Sequence, residues 1–384
     1  MKKQLLTAAL MLTGMFALTP SVADAKSTMD SNLTLVWMNT DVAPLTLDVR
    51  QGFGRDGKFY LQNKATKTIE VWNETGRIQE IPSGAGTNIA FDDAGNILVR
   101  IGTFPDPFNK DINELRIIPA DGSAAIDIAL SGITGGRLDF WGHVQGNVLD
   151  KETGGIIYMG TTYYPQLVEI PIIDGKQDVA NTYTYTYASP FEIAGNFATT
   201  TIISAWEGRD NVSILSPLFN KTNCNSIQKL SLDEDGNWSH DSYYITPRHS
   251  GCAGFYIFKL GGQDYIVYPS GSNNADGFTV SKLATKAISD VEDSDESVRI
   301  ATKYSEQKDD GNPMYVGNAF YGNHLSAEAI SETQAYIYQY FPSGYIAKYL
   351  FTVDGGTGVT KVEAAKATII GGRGEITIEG EPTL

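Results

Sequence analysis

Beyond residue 30 this chain is composed almost wholly of short apolar or alternating runs separated by turns of glycine, aspartate and asparagine, and helical periodicity is nearly absent. That is the pattern of strands and hairpins. Lys58-Phe59-Tyr60-Leu61, Thr68-Ile69-Glu70-Val71-Trp72, Asn96-Ile97-Leu98-Val99-Arg100 and Ala335-Tyr336-Ile337-Tyr338-Gln339 are representative runs. Their order repeats. An apolar run meets a tight turn, a tyrosine-rich or β-branched run follows, then a loop, a run ending in Asp-Gly, and a last run. The first turns of these units are Arg55-Asp56-Gly57, Asp93-Ala94-Gly95-Asn96, Thr153-Gly154-Gly155 and Leu260-Gly261-Gly262-Gln263. The second set includes Glu74-Thr75-Gly76, Ala120-Asp121-Gly122, Asp174-Gly175 and Asp235-Gly236-Asn237. Each is a hairpin signal in which Gly or Asn supplies positive φ.

A hairpin cannot bury its face alone, so a repeated four-stranded unit requires neighbours packed face to face around an axis. The expected fold is all-β, a β-propeller. Leu33 to Asp354 is 322 residues, and typical propeller repeats run about 40–50 residues. Central hairpins are placed near Gly57, Gly95, Gly155, Thr200, Gly262 and Glu332, which gives six blades. The last unit lacks an obvious fourth strand, and Leu33-Thr34-Leu35-Val36-Trp37 is expected to supply it. Pairing the two chain ends in this way removes a sheet edge. A stacked sandwich or two smaller β domains is the competing arrangement.

The turn Phe91-Asp92-Asp93-Ala94-Gly95-Asn96 leading into Ile97-Leu98-Val99 resembles the turns of secreted propellers of the NHL and YncE type. The resemblance covers most of residues 33–354 and implies architecture, not a function. The expected divisions are a signal peptide at 1–25, a leader at 26–32, the propeller at 33–355 and a β tail at 356–384. In the tail, Val362 to Ile370, Gly371-Gly372-Arg373-Gly374 and Glu375-Ile376-Thr377-Ile378 resemble the opening strands of a C-terminal sorting domain of type IX secretion systems.

At the other end, Lys2 and Lys3 precede an apolar core from Leu5 to Leu18, and Ala23-Asp24-Ala25 fits the small-x-small cleavage rule. The pattern is an export signal with a mature start at Lys26, and no cysteine follows the apolar core to take a lipid anchor. No later segment approaches the length of a membrane span. Export is therefore expected, to the periplasm, the cell surface or the medium. The net charge of −16 disfavours nucleic acid and anionic membranes as partners. A monomer is expected.

In a propeller blade the strands run a, b, c, d outward from the axis. The a–b and c–d turns share one end of the ring, and the b–c and d–a connections share the other. The short turns above make the first end bland. The longer segments, among them 103–113, 135–143, 161–165, 206–225, 246–252 and 269–277, are assigned to the other. Long loops on a rigid scaffold are where binding groups collect. The ligand-binding candidates there are Phe104, Asp106, Trp141, Tyr163 and Tyr164, with Trp206, Arg209, Arg248, Asn273 and Asn274. Aromatic groups with convergent polar ones suit a sugar ring or an extended peptide; the competing reading is that the aromatics cap blade cores. Cys224 and Cys252, on adjacent units at this same end, are expected to pair as a disulfide in an oxidising compartment.

Catalytic motifs are mostly absent: there is no H-E-x-x-H, G-x-S-x-G, Walker A or dinucleotide fingerprint. Asp139, His143, Glu207, Asp210 and His249 are candidates for acid–base groups converging on one pocket mouth. No metal site or cofactor is expected. Asp233-Glu234-Asp235-Gly236-Asn237 opens like a calcium loop, but Tyr244 stands where such a loop needs its twelfth-position Glu, so a c–d turn is the better reading. The acidic run Asp290, Glu292, Asp293, Asp295 and Glu296 has the charge for calcium and reads as a solvated loop. Two functions remain: a non-catalytic module binding glycan or protein through its loop-rich end, and a carbohydrate-active hydrolase or lyase.

Overall fold

Three of the predicted turns take the backbone shape that joins antiparallel strands most tightly. Asp56 and Gly57 have φ of 51° and 75°, Asp174 and Gly175 50° and 68°, and Gly261 and Gly262 53° and 81°. Two consecutive residues at positive φ make a type I′ turn, whose twist matches that of the flanking strands. The structure, a computed structural model, describes residues 29–40, 52–63, 65–101, 114–133, 137–162, 166–186, 202–205, 211–217, 225–235, 238–245, 256–269, 276–282, 299–304, 324–341 and 344–353.

Among these residues the chain opens with β1 (Leu33–Asn39). The next sheet is β2 (Gly52–Arg55), β3 (Lys58–Asn63), β4 (Thr68–Asn73) and β5 (Gly76–Pro82). A third group is β6 (Gly86–Phe91), β7 (Ile97–Ile101), β8 (Glu114–Ile118) and β9 (Ile126–Ala129). Then come β10 (Arg137–Gly146), β11 (Gly155–Thr162), β12 (Gln166–Ile173), β13 (Lys176–Gln177) and β14 (Tyr183–Thr186). The following sheet holds β15 (Ile202–Ala205), β16 (Asn211–Pro217), β17 (Asn225–Leu232) and β18 (Trp238–Ile245). After it come β19 (Tyr256–Leu260), β20 (Gln263–Pro269), β21 (Phe278–Lys282) and β22 (Arg299–Lys303). The last three strands are β23 (His324–Ala329), β24 (Gln334–Phe341) and β25 (Tyr345–Thr352).

These strands form six antiparallel sheets, five with four strands and one with five. The five-stranded sheet is a variation on the same plan. β13 and β14 both pair with β12, one beside Ile172 and Ile173 and the other beside Gln166 to Glu169, so they share the fourth position. The break lies opposite Pro171, whose carbonyl accepts the Asp178 N–H at 2.9 Å but which has no N–H to return. There the chain makes a single 3₁₀ turn over Val179–Asn181, with Asp178 Oδ2 accepting from Asn181 Nδ2 at 2.6 Å.

The innermost strands neighbour one another in the order β2, β6, β10, β15, β19, β23 and back to β2. Apolar side chains fill the layers between sheets, as the repeat argument requires. Leu98, Leu115 and Ile117 pack on Val144, Ile157 and Val168, and Val267, Phe278 and Val280 pack on Ile337, Tyr349 and Phe351. The N-terminal strand closes the ring as expected. β1 pairs with β25, with Leu33 opposite Phe351 and Asn39 opposite Ile346. Just ahead of β1 the chain meets the neighbouring sheet at β22: Asp30 exchanges hydrogen bonds with Thr302, and Met29 bridges Lys303.

Two polar seams tie sheets together. At one, Gly54 donates its N–H to Ser326 Oγ at 2.9 Å, and a Cβ at Gly54 would run into the Tyr338 ring. Glu328 accepts the Asp56 N–H at 3.0 Å and the Tyr338 hydroxyl at 2.7 Å. At the other, fully buried Asp276 meets the ammonium of Lys303, and the Tyr345 hydroxyl stands 2.6 Å from the same carboxylate oxygen. Gln339 adds its side-chain amide, donating at 2.6 Å to the Asp276 carbonyl.

Candidate functional site

The inner strands end on the a–b turns, and there the ring encloses a cavity of about 310 Å³. Its wall is built from β2 and its turn (Phe53, Gly54, Arg55, Asp56), from β6 and its turn (Ala90, Phe91, Asp92, Asp93), from His143 and Val144 of β10, from Tyr256 of β19, and from Ala327 and Glu328 of β23. The lining comes largely in short consecutive runs, because β2 and β6 reach the cavity at their ends and continue into their turns.

Three aromatic rings form one side. Phe53 lies 5.5 Å from Phe91 and 5.7 Å from Tyr256, centroid to centroid. Tyr60 supports Phe91 from behind at 4.9 Å. The Arg55 guanidinium stands 5.2 Å from the Phe91 centroid and donates to the Asp92 carbonyl at 2.9 Å. Burial pushes the Tyr256 hydroxyl up to about 12; Arg55 pulls it the other way, while Asp93 and Glu328 add to the rise. Burial pulls His143 down to about 4 against the opposing charge of Asp93, which leaves a neutral imidazole at pH 7.

The carboxylates have different duties. Asp92 is 1% exposed and fully used: it accepts from the Asn96 N–H and side-chain amide, both at 2.8 Å, and from the Val148 N–H at 3.0 Å. It braces the β6–β7 turn to the next sheet. Asp93 accepts the Gly146 N–H through Oδ2 at 2.7 Å, and its Oδ1 accepts no hydrogen bond among the described residues. The Asp56 carboxylate is mostly exposed, 3.7 Å from Arg55 Nε. The lining thus holds one guanidinium and four carboxylates, and it is acidic.

The short-turn end of the ring was expected to be bland, and this cavity corrects that expectation. Two placements also change. Asp139, Trp141 and His143 were assigned to a loop over 135–143 but lie within β10, because Leu138 to Val144 reads as a strand once Gly135-Gly136 is taken as the bend before it. Trp206, Glu207, Arg209 and Asp210 were assigned to a b–c loop following a hairpin near Thr200. The bounds of β15 and β16 instead put 206–210 at an a–b position. Asp233-Glu234-Asp235 leads the turn between β17 and β18, as the c–d reading expected, with the Asp235 N–H donating to Asp233 Oδ1 at 3.0 Å.

Of the nominated residues, His143 lines the cavity. The side chains of Asp139 and Trp141 lie outside the described set, as do Phe104, Asp106, Tyr163, Tyr164, Trp206, Glu207, Arg209, Asp210, Arg248, His249, Asn273 and Asn274. Cys224, Cys252 and the acidic run from Asp290 to Glu296 also fall outside it. Among the described residues there is no group of three or more metal-ligating side chains, and no helix long and apolar enough to cross a membrane. The sequence reading missed Phe53, Arg55, Asp56, Phe91, Asp93, Tyr256 and Glu328. Arg55-Asp56 and Asp92-Asp93 end or follow successive inner strands, and that recurrence was the available signal.

A ring of antiparallel four-stranded sheets around a common axis defines the protein as a β-propeller. No family model and no curated protein matches the chain. Solved structures do. A virginiamycin B lyase from Staphylococcus aureus is similar over 83% of this chain and 99% of its own, at 11% identity and a TM-score of 0.43. An auxiliary nutrient binding protein from Bacteroides ovatus is similar over 83% and 76%, at 10% identity and a TM-score of 0.41. The N-terminal domain of Nup159 is similar over 86% and 97%, at 8% identity and a TM-score of 0.41. Likenesses this distant carry no functional argument, and the fold rests on the strand order itself.

Proposed function

We propose that this chain is an exported, monomeric six-bladed propeller that serves as a binding module for a glycan or protein ligand, held at the axial cavity on the a–b end of the ring. The carrying observation is the cavity itself, with about 310 Å³ walled by Phe53, Phe91 and Tyr256 beside Arg55, Asp93 and Glu328. That volume lies at the small end of ligand sites, which pair apolar walls with a few placed polar groups. The five-stranded sheet is counted as a blade because β13 and β14 share one position. The resemblance to NHL and YncE propellers, the sorting-domain resemblance of the tail and the signal peptide support export, to the periplasm, the cell surface or the medium. No cofactor is assigned.

The test is ligand capture on glycan and peptide arrays with the mature protein and two variants. Phe53→Leu is expected to abolish capture, and Tyr183→Ala, a change at a half-exposed residue of outer strand β14, to leave it intact. Capture retained in Phe53→Leu would move the site off the axial cavity. A second reading, a carbohydrate-active enzyme, is favoured by one feature: neutral His143 and Asp93 line the same cavity, a base beside a carboxylate. Turnover of an array-positive glycan, absent in His143→Gln, would establish it.

A further inference from the structure

We propose that the axial cavity recognises a cationic side chain, the ammonium or guanidinium of a lysine or arginine in a peptide or protein ligand. This rests on the binding-module reading and narrows it to one chemistry.

Three observations carry it. First, the cavity combines aromatic faces with carboxylates, and cations are held over aromatic rings by the ring quadrupole. Phe53, Phe91 and Tyr256 meet at 5.5 and 5.7 Å, so their faces and edges form a corner rather than a flat platform for a sugar. Second, the cavity already binds a cation of its own. The Arg55 guanidinium sits 5.2 Å from the Phe91 centroid and donates to a main-chain carbonyl at 2.9 Å. Arg55 shows how an incoming guanidinium is accommodated; Lys348 offsets part of the Glu328 charge from outside the lining, and the four lining carboxylates still outnumber these two cations. Third, Asp93 and Asp56 keep acceptor capacity. Asp93 Oδ1 accepts no hydrogen bond among the described residues, and Asp56 contacts Arg55 only at 3.7 Å. The carboxylate of Glu328 is committed to the Asp56 and Gly57 N–H groups and the Tyr338 hydroxyl, and supplies field rather than a free acceptor. Neutral His143 adds no repulsion. The chain's net charge of −16 draws cations toward the site.

Calorimetry decides this with capped tripeptides Gly-X-Gly in which X is Arg, Lys, Gln or Glu. The Arg and Lys peptides are expected to bind, and the Gln and Glu peptides not to. Asp56→Asn/Asp93→Asn is expected to weaken binding about tenfold, and a rise from 50 to 500 mM NaCl to weaken it about fivefold, since partly exposed charges are screened. The exposed single variant Asp56→Asn gives the same direction should the double variant fold poorly. Equal binding of the Gln peptide overturns the cation reading, and so does saturation by calcium ions alone with peptide binding lost in chelator. If no charged peptide binds at 5 mM while a neutral glycan binds and is lost in Phe53→Leu, the cation class falls and the binding module stands. If neither binds and arrays stay blank, both fall.

Discussion

His324 makes the acid stability of the ring calculable. It is 4% exposed on β23, stacked on Tyr340 at 5.7 Å and 18°, and its Nε2 has no hydrogen-bond partner among the described residues. Burial pulls it down to about 3 from 6.5. The unfolded chain therefore takes up this proton first as pH falls, and folding stability is lost through the window from about 6.5 to about 3. The slope is about 1.4 kcal/mol per pH unit for one proton, or about 2 kcal/mol between pH 6.5 and 5. His143, held at about 4 by burial, adds a second proton over the upper part of that window. Substituting His324→Gln keeps the size and polarity and removes only its proton. Urea unfolding of both proteins at pH 7, 6 and 5 reads the difference. The wild type is expected to lose about 2 kcal/mol more than the variant over this span, with His143 cancelling because both carry it. Parallel pH profiles would refute the reasoning and show that water or a rearranged neighbour solvates the imidazolium.

Other outcomes follow from the seams and the cysteines. Gly54→Ala drives a methyl group into the Tyr338 ring and is expected to cost about 1–3 kcal/mol, read as a lowered thermal midpoint. Lys303→Met strands buried Asp276 without its cation and is expected to cost about 3–5 kcal/mol. Lys303→Met/Asp276→Leu should recover much of this, and a double variant as weak as the single would refute the charge argument. Cys224 and Cys252 are expected as one disulfide-linked peptide in a non-reducing digest of protein whose N-terminus is Lys26; two free thiols by Ellman titration would overturn the pairing.

The blade plan was legible because it is local. Asp56-Gly57, Asp174-Gly175 and Gly261-Gly262 each specify a turn within two residues, and flanking apolar alternation specifies the strands. Closure by Leu33 to Trp37 was legible as a missing strand at one end and a spare one at the other. The site was not. Arg55, Asp93, His143, Tyr256 and Glu328 meet only because five inner strands converge, and no single stretch contains more than four of the lining residues. Their side chains are also those of ordinary turns: Asp92 and Asp93 read as generic turn residues, yet one braces two sheets and the other faces the cavity. Loop length does not point to this cavity, which is set by strand ends.

The pairing of β1 with β25 has a consequence in time. Leu33 and Phe351 are 318 positions apart, so the first strand to leave the ribosome waits for nearly the last before its edge is covered. Contacts this distant make folding slow and leave apolar strand surface exposed in the interim. The ring cannot close prematurely, because the segment that completes it is still being made.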